Sequence, residues 1–297
     1  MFAVSKPALC IALLVTLTAC NDAKPPVEKP TQPKNTVQVA SEPLVLEETA
    51  PVLAYLDAKP QAAQFVLPQC KRKDCPKLEL QALVTQDAWL NTWLSTRQAK
   101  VLMQQISKDA NNFSLQQAVN RYVDASNEWQ RQHRHNQVFQ LQLASEIVYQ
   151  KNGIVLLQIQ VNSHQAETKI QDRLYFFVAD RHTQKNLNVT DIIHTPYAAT
   201  LQDIVDQAYQ KWLNEQEGEV KIAAPEKIKW QQGEWFYDQY GIGLHFRAGY
   251  MSPTAKQLDI YLSPAQTKQV LQPELYQRLF NPKSMLEEDH EAKNRAA

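Results

Sequence analysis

The chain has 297 residues, 44% of them hydrophobic, and its 31 Lys+Arg balance 31 Asp+Glu for a net charge of zero at pH 7. That length and apolar content suit one sizeable domain or two small ones with a real core. The charge balance gives no field to steer a polyanion, which excludes nucleic acid as a partner.

The first element is an export signal. Lys6 supplies a weak basic start, residues 8–17 form an apolar run too short to span a bilayer as a mature helix, and Leu17-Thr18-Ala19-Cys20 closes it with small residues before a cysteine. This tetrapeptide resembles the lipobox of bacterial lipoproteins. The resemblance implies that residues 1–19 are a signal peptide, that the Cys20 thiol is diacylated, and that the new amino terminus is acylated in turn. Three chains, each buried methylene contributing roughly 0.8 kcal/mol, would then anchor Cys20 in a lipid bilayer. A plain secretory signal with an incidental Cys20 is the other reading. Asn21 stands where an inner-membrane retention aspartate would be, so the expected place is the periplasmic face of the outer membrane, with the inner membrane or the cell surface as alternatives. Loss of Lys6 with the signal leaves the mature chain one unit negative.

Residues 20–50 are read as the lipidated cysteine and a flexible linker. Pro25, Pro26, Pro30, Pro33 and Pro43 are interspersed with Lys, Glu, Thr and Gln, a mixture that cannot bury enough surface to order itself. Extended at roughly 3 Å per residue, about 30 residues reach on the order of 90 Å. No second apolar run approaches membrane-spanning length, so the body is expected to be soluble and tethered.

Cys10 falls in the signal and Cys20 takes the lipid, which leaves Cys70 and Cys75 flanking Lys71-Arg72-Lys73-Asp74. An exported pair so close most simply forms a local disulfide that fixes a turn and contributes about 2 kcal/mol. A redox switch or half of a zinc site are the sharper readings of the same pair.

The spacing over 85–106, with Trp89, Leu90, Trp93, Leu94, Ala99, Val101 and Leu102, predicts an amphipathic helix. Ser114 with Gln117 predicts a capping box for a second helix carrying Leu115, Val119, Tyr122 and Trp129. Both tryptophan-bearing stripes read as core, with an aromatic ligand platform as the alternative. Residues 138–143 and 155–161 alternate apolar residues with glutamine, the pattern of a sheet with one wet face, and Asn152-Gly153 between them predicts a tight hairpin. Residues 173–179 add an aromatic strand, and Asp180-Arg181-His182-Thr183 turns it towards 187–193. Thr200 is expected to open a helix with Leu201, Ile204, Val205, Ala208 and Trp212 on its buried face. Strands follow at 226–230, 235–239, 241–246 and 258–262, and Ser263-Pro264 starts a final helix with a serine cap and a proline in the first turn. Antiparallel strands broken by a few helices make an α+β fold. The segment boundaries are 51–160 and 161–280, with 281–297 as a polar, disordered tail.

The segment Asp180-x-x-Thr183-x-Lys185-x-Leu187-x-Val189-x-Asp191-Ile192-Ile193 resembles the D-x-x-T-G-K-x-L-x-L-x-D-L-F stretch of the extracytoplasmic domain of RsiV-type anti-sigma factors. Trp235-Phe236-Tyr237, Gly241-Ile242-Gly243-Leu244-His245-Phe246, Ser252-Pro253-x-Ala255 and Leu258-x-Ile260-x-Leu262 are similar to that family's later series. Cys75-Pro76-Lys77-Leu78 and Trp89-Leu90-Asn91 are similar to its partner segment upstream. The likeness runs from about residue 70 to about residue 280. The family's Gly-Gly-Ala-His turn stands here as Asn162-Ser163-His164-Gln165-Ala166, its tyrosine after the proline is Thr254, and the tyrosine expected after Phe246 is Gly249 with Tyr250 adjacent. The resemblance implies two packed subdomains and a non-enzymatic binding domain whose relatives bind lysozyme at its active-site cleft. A loop over 249–256, with Tyr250, Ser252 and Pro253, would make the ligand surface, and His164 is a further candidate ligand residue.

An enzyme is the competing class. The chain has no Gly-x-Ser-x-Gly elbow, no His-Glu-x-x-His helix and no phosphate loop among its six glycines. His133 and His135 could grip a metal or sit in a solvated loop. Asp172, Asp180 and Asp191 could pair as acid and base or cap turns. The expectation is a lipid-tethered, non-catalytic binding protein, with no cofactor and no metal, whose partner is a lysozyme-like protein. An envelope protein that binds peptidoglycan or a partner protein is the alternative, and a hydrolase the second alternative.

Overall fold

The computed structural model describes residues 53–69, 74–107, 113–133, 138–165, 168–247 and 257–281. Cys20, the linker, Cys70 of the expected disulfide, His135, the loop with Tyr250, Ser252 and Pro253, and the tail from 282 lie outside those residues.

Two helices come first in the chain's main body, between short strands β1 (Lys59–Ala62) and β2 (Lys77–Val84) and a long meander. Helix α1 (Ala88–Met103) starts where the Asp87 carboxylate accepts the Leu90 N–H at 3.0 Å. Helix α2 (Leu115–Gln132) starts at the capping box that Ser114 and Gln117 predict. The meander follows as β3 (Gln140–Lys151), β4 (Ile154–Gln165), β5 (Thr168–Asp180) and β6 (Lys185–Leu187). Asn152 and Gly153 turn β3 into β4 with φ of 47° and 76°, the left-handed pair that a two-residue hairpin needs. The six strands form one mixed sheet in sequence order, with β2 and β3 parallel and every other pair antiparallel. Strand β4 runs through position 160, so residues on both sides of that boundary build the same sheet.

Two cores flank this sheet. Because side chains alternate along a strand, Leu141, Leu143, Leu157, Ile159, Tyr175 and Phe177 share one face, and α1 and α2 cover it with Leu90, Leu102, Val119 and Tyr122. Trp93 is buried in this core, and Trp89 and Trp129 pack against it, so the tryptophan stripes serve packing. The opposite face carries Ile154, Leu156 and Val178, which pack on the C-terminal elements. These are α3 (Val189–Ile192), α4 (Ala198–Asn214), α5 (Gly218–Ala223), an antiparallel sheet of β7 (Glu234–Tyr237), β8 (Ile242–Phe246) and β9 (Leu258–Tyr261), then α6 (Pro264–Val270) and α7 (Pro273–Phe280). The result is the expected α+β fold. Among the described residues no helix is long and apolar enough to cross a membrane.

Four expectations change. Residues 226–230 do not pair as a strand, because Gln202 of α4 takes both backbone groups a neighbouring strand would use, the Ile228 carbonyl at 2.9 Å and the Trp230 N–H at 3.1 Å. Within 187–193 the strand stops at Leu187, where Asn188 and Asp191 cap the short α3. Helix α4 begins at Ala198, two residues before Thr200, behind a 3-10 turn over Thr195–Tyr197 whose Pro196 suits a helix start. The final helix is two helices, because the Gln272 N–H turns to the Ile192 carbonyl at 2.8 Å and Pro273 opens a new first turn.

Candidate functional site

Strand β4 changes character halfway along one face. Ile154 and Leu156 are buried under the C-terminal sheet, and then Gln158, Gln160, Asn162 and His164 occupy the same alternating positions. Where the C-terminal elements end, this polar half of the face is open. Its neighbours across the ladder are Gln142 opposite Asn162 and Ala144 opposite Gln160 on β3, and Glu79 opposite Gln142 on β2. Together with Gln61, Gln81 and Phe65 they line an open groove of about 610 Å³.

The groove's amides are held in place by two carboxylates and one backbone N–H. Gln142 donates to the Glu79 carboxylate at 2.8 Å, and Gln160 donates to Asp172 at 2.7 Å. Asp172 has φ of 51°, and the Asn162 side-chain oxygen accepts its N–H at 2.8 Å where the β4–β5 register shifts. A bulge beside a polar face re-aims side chains at the cost of local strain, and such features cluster at binding sites. Among the described residues, the carbonyl oxygens of Gln142 and Gln160 and the amide nitrogen of Asn162 accept and donate no hydrogen bond, which leaves both an acceptor and a donor set for a ligand. Below the groove, burial pushes the Tyr122 phenol well above its usual range. An opposing hydrogen bond comes from Gln165 at 3.2 Å.

His164 lies on the groove's strand face one alternation beyond Asn162, half-buried and opposite Gln140 and Lys169. It extends the line of polar groups, while Tyr250, Ser252 and Pro253 fall outside the described residues. The three aspartates do not meet. Asp180 receives two hydrogen bonds from Arg278 at 2.8 and 3.0 Å, Asp191 caps Asn188 at 2.7 Å, and Asp172 holds the bulge. His133 stacks on Trp129 with ring centroids 3.4 Å apart. Among the described residues no three His, Cys, Asp or Glu side chains gather as a metal-ligand set.

One pair escaped the sequence. His245 on β8, fully buried, faces Asp259 on β9 with Nδ1 2.6 Å from Oδ1, and its ring meets the Phe176 edge at 5.0 Å. Its Nε2 is buried without a partner. The signal was the antiparallel offset of two strand residues, which requires the β8–β9 register to be known first.

No protein-family model and no curated protein matches the sequence. Solved structures do resemble the fold. A DUF3298 family protein from Pseudomonas aeruginosa PAO1 is 13% identical, with 76% of this chain and 97% of that chain covered at a TM-score of 0.52. A member of the DUF3298 family from Bacteroides fragilis NCTC 9343 is also 13% identical, with 73% and 94% covered at a TM-score of 0.47. The first likeness is one of fold.

Proposed function

We propose that this chain is an exported envelope lipoprotein, anchored through acylated Cys20, whose domain binds a ligand without transforming it and takes the wall polymer in the amide-lined groove. The groove carries the reading. A groove of about 610 Å³ in which Gln61, Gln81, Gln142, Gln160 and Asn162 alternate with apolar residues and a single charge, Glu79, offers neutral donors and acceptors beside apolar surface, which suits the hydroxyl, amide and methyl groups of a glycan–peptide polymer. The lipobox supplies the compartment and the linker supplies the reach, while the likeness to the DUF3298 family protein is one of fold. The Cys70–Cys75 disulfide belongs to the same reading, since an oxidising compartment permits it.

A second reading is capture of a lysozyme-like muramidase by the 249–256 loop. The β8–β9 ladder favours it, because Phe246 opposite Leu258 holds the two ends of that loop side by side on a buried sheet. Tyr250 would be its aromatic anchor.

Two measurements separate the readings. The full chain in detergent is expected to co-sediment with insoluble sacculi in the absence of any muramidase, and Gln142→Ala with Gln160→Ala is expected to lower the bound fraction about 10-fold, with unchanged melting temperature. Full retention by the double variant would remove the groove from the argument. Calorimetric titration against lysozymes of several structural types tests the other reading. Tight one-to-one binding that Tyr250→Ala with Pro253→Ala weakens would move muramidase capture to the front.

A further inference from the structure

A second cleft lies on the opposite margin of the six-stranded sheet and owes its existence to the shortness of β6. That strand pairs with β5 only from Val178 to Asp180, so the β5 edge at Phe176 has no strand partner there. Glu234, at the start of β7, fills the place instead. One of its carboxylate oxygens accepts the Phe176 N–H at 2.9 Å and the other pairs with Arg247 at 3.1 Å. Both oxygens of this carboxylate are therefore committed.

Two cations, Arg247 and Lys100, share the cleft with it. Arg247 lies 4.4 Å from the centre of the Tyr175 ring and also donates to Gln104 at 3.3 Å. Lys100, one turn before Gln104 on α1, makes no ion pair among the described residues; its ammonium lies 5.8 Å from the centre of the Phe177 ring. Arg97, a further turn back, places its guanidinium between Trp93 and Phe177 and buries an Nε that has no hydrogen-bond partner. Lys100 and Arg247 thus flank a carboxylate whose two oxygens are already taken, and Arg97 adds a further positive charge that acts on Lys100. Lys100, Arg247, Gln231, Gln232 and Asn188 line the resulting space of about 240 Å³, large enough for a small oxyanion.

We propose that this cleft binds a small oxyanion, a carboxylate or a phosphate group, with Lys100 as its charge partner and Arg247, preset by Glu234 and Gln104, beside it. An oxyanion there would give Lys100 a direct ion pair beyond the more distant attraction of Glu234 and accept hydrogen bonds from the Gln231 and Gln232 amides. Burial lowers the Lys100 pKa, and Arg97 and Arg247 lower it further while Glu234 opposes them, so the protein's own groups disfavour the ammonium and a bound anion would favour it. The inference is independent of the amide-lined groove.

Calorimetric titration of the full chain in detergent with sodium acetate and with sodium phosphate, at low ionic strength, tests it. Saturable binding of at least one anion is expected, weakened about 10-fold by Lys100→Met and retained by Lys100→Arg. Acetate binding alone would assign the cleft to a carboxylate ligand, and phosphate binding alone to a phosphate ligand. Gln232→Glu adds a carboxylate to the exposed wall while keeping the acceptor for the Lys229 N–H, so it tests the charge argument without disturbing the core. It is expected to weaken binding to a similar degree. No saturable binding of either anion, or equal affinity in parent, Lys100→Met and Gln232→Glu, would overturn the proposal; either outcome leaves the sacculus measurement unaffected.

Discussion

Two glycines show how different physical demands produce the same residue choice. Gly153 sits at φ of 76° in the β3–β4 hairpin, and a Cβ there would also meet the imidazole of His182. Gly153→Ala is therefore expected to cost about 1–2 kcal/mol, read as a lower urea midpoint with an unchanged slope. Gly243 is different, because its backbone is ordinary. It lies opposite Phe236 in the β7–β8 ladder, and the Phe236 ring covers the space a Cβ would need. Gly243→Ala forces that ring off its position and is expected to cost about 2–3 kcal/mol, with loss of near-ultraviolet signal from the β7–β9 sheet. The first glycine was legible as Asn152-Gly153 between two alternating segments. The second was not, because its reason stands on a strand paired with it across the sheet.

At the scale of elements, α7 is clamped to the far end of the six-stranded sheet by one arginine. Arg278 pairs with Asp180 at the end of β5 at 2.8 and 3.0 Å and donates to the Asn152 carbonyl at 3.1 Å, while Asn152 donates back to the Arg278 carbonyl at 2.6 Å. Burial pushes the Asp180 carboxyl up, but the Arg278 pairing, helped by the His182 N–H and the Thr183 hydroxyl, outweighs it and holds the carboxyl below its usual range. A carboxyl depressed on folding stabilises the fold above the unfolded carboxylate range, about pH 4, and that contribution is lost as the pH falls through the lower folded value. Arg278→Leu strands a buried carboxylate and is expected to cost about 2–3 kcal/mol at pH 7. Urea midpoints measured from pH 7 to pH 2 should show parent and variant converging below about pH 4; a gap that stays constant across that range would mean that Arg278 acts through packing alone. The motif Asp180-x-x-Thr183 is thus a clamp, and its aspartate was legible as a turn residue although its partner 98 positions away was not.

For the whole molecule, the main consequence is that one sheet serves two cores. The glutamine alternation in β3 and β4 announced a wet face, and the structure makes only half of that face wet. The point where Leu156 gives way to Gln158 was printed in the sequence, but its meaning depended on how far β7, β8 and β9 reach across the sheet. Strands β1 and β2 were missed for opposite reasons. The alternation Leu78-Glu79-Leu80-Gln81 was a readable signal for β2, whereas β1 is four exposed residues including Pro60, with no apolar pattern to detect. The shared sheet also sets the cooperativity of unfolding. Leu156 and Leu157 are adjacent in β4 and buried on opposite faces, one in each core. If the sheet transmits the loss of one core to the other, Leu156→Ala and Leu157→Ala each cost about 3 kcal/mol and shift the whole transition together. Tryptophan fluorescence and far-ultraviolet circular dichroism should then trace coincident urea curves in both variants. Separate transitions, with Leu157→Ala melting the α1–α2 side while the β7–β9 side persists, would mean that the two cores fold as independent units on a sheet able to survive with one face bare.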